Sequence, residues 1–119
     1  MTNPNIVNVV NIYGNTTFLT VNTVTQNVVS NPIASSTLYK INSLLASNYS
    51  TNNYSITASV LTPSGSSYTI INNAVVPANS TLTILGKDNM IYLLENTAIT
   101  MVSTSNVGLT AICSFEQIS

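Results

Sequence analysis

The chain has 119 residues, 45% hydrophobic and only 4% charged, with a formal net charge of −1, so it is long enough for one domain with a modest core and has little room for a second. Its charged side chains are Lys40, Lys87, Asp88, Glu95 and Glu116, and it has no His, Arg or Trp. That inventory excludes Ser-His-Asp and Cys-His catalysis, zinc sites built on His or several Cys, guanidinium clamps for phosphate, and the basic footprint of a nucleic-acid binder.

Taken in chain order, the apolar pattern has the period of strands, with β-branched residues dominant and helix formers scarce. Ile6 to Tyr13 reads as a strand ending at Gly14-Asn15, or as part of a terminal arm over 1–15 that grips a neighbouring subunit. Thr16 to Val24 alternates, with Phe18 on one face and Leu19, Val21 and Thr23 on the other. Val28-Val29 forms a short strand before Asn31-Pro32. Thr37 to Ser47 places Tyr39, Ile41 and Leu45 on one face and Leu38 and Leu44 on the other. After a polar turn at 48–53, Tyr54 to Leu61 presents Tyr54, Ile56, Ala58 and Val60 together. Thr62-Pro63-Ser64-Gly65 is a turn.

Tyr68 to Ile71 reads as a short strand and Ala74 to Leu85 as a longer one, with Pro77 marking an edge or an offset. Gly86 to Asn89 turns. Met90 to Leu94 is continuously apolar and reads as a buried strand. Glu95-Asn96-Thr97 turns again, and Ile99–Ser103 and Val107–Phe115 close the pattern. Eight or nine short strands with regularly spaced turns imply an all-β fold, an antiparallel β-sandwich of jelly-roll type over 16–119.

Asn, Thr and Ser, numbering 18, 17 and 16, supply the polarity that charge does not. A mean hydropathy of +0.34 with almost no net charge argues against a disordered chain. The longest apolar run, Met90–Leu94, is far short of the roughly 20 residues of a spanning helix, so no membrane partner is expected. Met1–Asn5 has no basic, apolar leader character, so synthesis in a cytoplasm is expected. The sequons at Asn15, Asn48, Asn53 and Asn79 are of the number that abundant Ser and Thr produce by chance.

No catalytic, cofactor-binding or metal-ligating set emerges, and an enzyme is not expected. Asp88 and Glu95 fall in separate turns and Glu116 near the end, a spacing that suggests neither a glycosidase pair nor a calcium loop. The expected place of Glu95 is a strand end in water. Lys40, mid-strand, belongs on a solvent or partner face with its stem on apolar surface. Cys113 reads as a buried, inert thiol. Tyr49 and Tyr54 flank a polar turn and serve either as sugar platforms or as core and interface anchors. The Thr23/Thr25 and Thr81/Thr83 steps match those of ice-binding ladders but do not repeat at a fixed period.

A nearly uncharged surface suits a subunit that spends its life docked, since charge keeps free proteins apart and guards strand edges. A homo-oligomer, or a subunit of a larger assembly, is the expectation.

Three segments carry a resemblance. They are Val76-Pro77-Ala78-Asn79-Ser80-Thr81-Leu82, Ile91-Tyr92-Leu93-Leu94-Glu95-Asn96-Thr97, and the ending Ser114-Phe115-Glu116-Gln117-Ile118-Ser119. Together with the strand–turn–strand of Tyr39 to Val60, they resemble small β-sandwich virion proteins of tailed bacteriophages, especially those of marine cyanobacteria. The resemblance implies a non-enzymatic accessory subunit of a phage particle, in many such proteins a trimer. It would contact the major capsid protein as a decoration or cement protein, or neck and tail proteins as an attachment subunit. A carbohydrate-binding module for host recognition is the reading of a different class.

Overall fold

A computed structural model describes residues 11–119. Nine strands follow one another: β1 (Ile12–Val21), β2 (Gln26–Asn31), β3 (Leu38–Asn48), β4 (Tyr54–Leu61), β5 (Ser67–Val76), β6 (Ser80–Leu85), β7 (Ile91–Leu93), β8 (Thr97–Ser103) and β9 (Leu109–Ile118). They form two antiparallel sheets packed face to face as a sandwich. One has the order β1-β9-β3-β6, with β7 also paired to β3, and the other the order β2-β8-β4-β5. Consecutive strands change sheet except along the β4–β5 hairpin and from β6 to β7, so the sandwich has the strand order of a jelly roll.

Alternation produces this arrangement because each strand has one face to bury. Val21 from β1, Ile41 and Leu44 from β3, Leu93 from β7 and Leu109 from β9 meet Ile56 from β4, Val76 from β5, and Ile99 and Met101 from β8 in a single core. Tyr39 and Phe115 stack within it, with ring centroids 4.9 Å apart.

Several elements differ from the sequence pattern for identifiable reasons. The strand expected over Ile6 to Tyr13 lies mostly outside the described residues, as does most of the arm over 1–15. From Ile12 the chain runs straight through Gly14, with no turn, because ten residues of β1 pair without a break against β9. In β3 the ladder shifts register between Ile41 and Ser43. This bulge puts Ile41, Leu44 and Ala46 on the core side and turns Leu45 outward, reversing the expected partnership of Leu45 with Ile41. The expected strand Ala74–Leu85 is two strands in different sheets. Pro77 has no N–H to donate and Asn79 adopts φ 56°, so the chain breaks at 77–79 and crosses over. Tyr68–Ile71 is part of the longer β5. The expected buried strand Met90–Leu94 is the short edge strand β7, in which only Leu93 is buried and Tyr92 is exposed, as is Leu94 just beyond it. β6 and β7 line the same edge of β3, separated by a 3₁₀ turn at Lys87–Asn89.

Candidate docking surface

The abundant amides and hydroxyls close the loops on themselves. Asn48 is buried at the end of β3, where its Nδ2 donates to the carbonyls of Asn52 (2.8 Å) and Val76 (2.9 Å) and its Oδ1 accepts from the Ser50 N–H and hydroxyl. At the opposite end of β3, Asn31 is buried too, donating to the carbonyls of Thr37 and Leu93 and accepting from the Ser35 hydroxyl at 2.6 Å. The Thr23 N–H and hydroxyl both donate to Asn106 Oδ1. Neutral groups satisfy buried loop backbone without the desolvation cost of charge. These side chains tie the loops to the ends of the sandwich.

The chemistry-bearing residues scatter. Glu95 is not in water, as its turn position suggested, but 1% exposed, with Oε2 accepting the Ser36 N–H at 3.3 Å. The neighbouring chain bends back sharply, with Ser36 and Asn96 both at positive φ, and this draws the carboxylate under the loop. Asp88 sits in the 3₁₀ turn and Glu116 on β9. Among the described residues no three of His, Cys, Asp and Glu come together, and no helix is long and apolar enough to cross a membrane. Lys40 stands opposite Glu116 across the β3–β9 ladder, a proximity the sequence did not reveal, and Asn42 Nδ2 donates to Glu116 Oε1 at 3.2 Å. Cys113 is fully buried between the sheets, and burial pushes its thiol up to about 12.

Tyr49 and Tyr54 do not make a joint platform. Tyr54 packs on the core, with its hydroxyl oxygen accepting from Asn52 Nδ2, while Tyr49 is exposed beside a shallow hollow of about 260 Å³ lined by Ser47, Asn79 and Thr81. Thr23 and Thr25 lie outside the strands.

The ladders assemble a surface that no single strand reveals. On the outer face of the β1-β9-β3-β6 sheet, Thr20, Thr110, Ser47 and Thr81 line up across four strands. The next row is Phe18, Ile112, Leu45 and Thr83, and below it stand Thr16, Ser114 and Ser43. Phe18 is 70% exposed. The result is an apolar stripe between two rows of hydroxyls, without a charge in any of the three rows. Lys40 and Glu116 lie one row further along. The bulge in β3 creates this stripe by turning Leu45 outward.

No protein family, curated protein or solved structure matches the chain.

Proposed function

We propose that the chain is a non-enzymatic structural subunit of a virus particle, a decoration or cement protein that sits across the joints between major capsid subunits. The observation that carries this reading is the set of three uncharged rows on the outer face of the β1-β9-β3-β6 sheet, with Phe18, Ile112 and Leu45 between rows of Thr and Ser. Such a face buries apolar surface on contact and keeps hydroxyls available for hydrogen bonds to a partner. Exposed side chains elsewhere that suit docking are Tyr68 and Val75 on β5 and Ile33, Tyr49 and Val107 on loops. The resemblance of the Val76–Leu82, Ile91–Thr97 and Ser114–Ser119 segments to phage virion proteins supplies the particle. The jelly-roll order agrees with it by analogy, since viral capsid domains use that architecture among others, though fold alone assigns no function.

In mechanism, the protein binds only the assembled shell. Its binding free energy is therefore added to shell stability by mass action, resisting the outward pressure of packaged nucleic acid. Its partners are the major capsid protein and further copies of itself.

Quantitative mass spectrometry of purified particles from the virus encoding the chain tests this reading. Hundreds of copies per particle support shell decoration. On the order of a dozen copies would replace it with a neck, tail or fibre-attachment role, where ring symmetry limits the number. Absence from particles would refute the virion reading.

A further inference from the structure

We propose that β1 is a contact between copies of the chain, joined edge to edge and antiparallel about a two-fold axis at Thr16. This rests on the reading of the chain as a self-associating subunit and names where two copies meet.

β1 is the outermost strand of its sheet among the described residues. It pairs with β9 in unbroken register from Ile12↔Ile118 to Val21↔Leu109, and no strand among the described residues pairs with its other edge. Free proteins blunt such edges with Lys, Pro, bulges or short strands. Over its 10 residues β1 has no charge, no Pro and no bulge. The other edges are blunted. β2 has 6 residues and a register shift, β5 pairs with β4 through two shifts and holds Asn73 at φ 51°, and the β6–β7 edge is broken by the 3₁₀ turn. At the β1 edge the Thr16 N–H has only a local partner, the Oδ1 of Asn15 at 2.8 Å.

The occupant is a second copy because β1 is complementary to itself in one register. With Thr16 opposite Thr16, Phe18 falls opposite Gly14 of the second copy, and Asn15 falls opposite Thr17. A Cβ added at Gly14 meets nothing within 4 Å, so the exposed Phe18 ring has room to cover that glycine, a pairing that stabilises edge glycines. Thr17 Oγ1 is the buried side-chain oxygen without a hydrogen-bond partner among the described residues, and the pairing brings the amide of Asn15 to the position facing it. On the same inner face Tyr13, 71% exposed, meets the half-buried Leu19 of the other copy. The Thr16 N–H donates to the Thr16 carbonyl across the axis. Both the Phe18–Gly14 and the Asn15–Thr17 pairings fall in this register and in no other. With no charge on β1, the two-fold creates no like-charge repulsion.

The test uses the full chain in light scattering with size-exclusion chromatography, after circular dichroism has shown that each variant folds. Thr16 is exposed, so its replacement leaves the core intact. Wild-type protein is expected to dimerise. T16K and T16E, each placing like charges against themselves on the axis, are expected to weaken dimerisation about fivefold, and an equimolar mixture of the two to restore it. T16C is expected to cross-link on oxidation, whereas T20C, which faces Ile12, is not, and the buried Cys113 adds no background. Association of wild-type protein that ignores both charge variants and T16C would overturn the β1 contact while leaving self-association standing. A wild-type chain that stays monomeric at every concentration would overturn both.

Discussion

Replacing Asn48 by Ala removes four hydrogen bonds at once: two donated by Nδ2, to the Asn52 and Val76 carbonyls, and two accepted by Oδ1, from the Ser50 N–H and hydroxyl. Water can reach Asn52 and Ser50 in the exposed loop, so those three bonds are partly replaced, at a net cost of about 0.5–1.5 kcal/mol. The bond to Val76 is buried, and its orphaned carbonyl adds roughly 1–3 kcal/mol. The sum is about 2–4 kcal/mol, a large part of the stability expected of a 119-residue domain, on the order of 6–18 kcal/mol. Urea denaturation followed by circular dichroism measures it, and the melting temperature should fall by about 10 °C. Asn106→Ala, which removes only bonds to the exposed Thr23 loop, should cost about 1 kcal/mol or less. Asn48→Asp keeps the acceptor but points a carboxylate at two carbonyl oxygens. That raises its folded-state pKa above the unfolded value near 3.9, so the variant is at least as unstable as Asn48→Ala at neutral pH and recovers as pH falls through the raised pKa. Equal stability losses for Asn48→Ala and Asn106→Ala would refute the idea that buried amides organise the loops.

Leu93→Asp should abolish folding, because Leu93 is 1% exposed in the core, whereas Tyr92→Asp, on the outer side of the same strand, should change stability by no more than about 0.5 kcal/mol; circular dichroism separates the two. Gly108→Ala should destabilise by about 1–3 kcal/mol, since φ is +95° and the new Cβ would lie 2.9 Å from the Ser50 Cβ; at Gly65, also at positive φ but in open space, the same change should cost only about 1 kcal/mol in chemical denaturation. Cys113 should resist a thiol reagent until the protein unfolds, with a modification rate that tracks unfolding. Its thiol, raised from 9.0 to about 12 by burial, stays protonated in the fold, so its contribution to stability is complete below pH 9 and is lost as pH rises from about 9 towards 12, which denaturation across that range measures.

The sandwich was legible because most strands keep strict alternation. Tyr54, Ile56, Ala58 and Val60 do face the core together, and Phe18 opposes Leu19 and Val21 as the pattern required. Alternation fails where the backbone inserts a residue. The bulge near Asn42 swaps the face of Leu45, and nothing in Lys40-Ile41-Asn42-Ser43 announces it. Pro77 did signal an interruption, but a change of sheet depends on how β5 and β6 pair, which is tertiary information. Glu95 has the sequence context of an exposed turn and is buried because Ser36, distant along the chain, folds over it. The proposed docking face was the least legible feature. Its rows join residues from β1, β9, β3 and β6, so Phe18, Ile112 and Leu45 become neighbours only once the registers are known.

The proposed docking role on a virus particle is tested most directly by a cryo-electron microscopy map of that particle at a resolution that separates strands. The expected result is the sandwich on the shell with the row of Phe18, Ile112 and Leu45 covered by a neighbouring subunit. A particle in which the sandwich is present but that face lies open to solvent would contradict it.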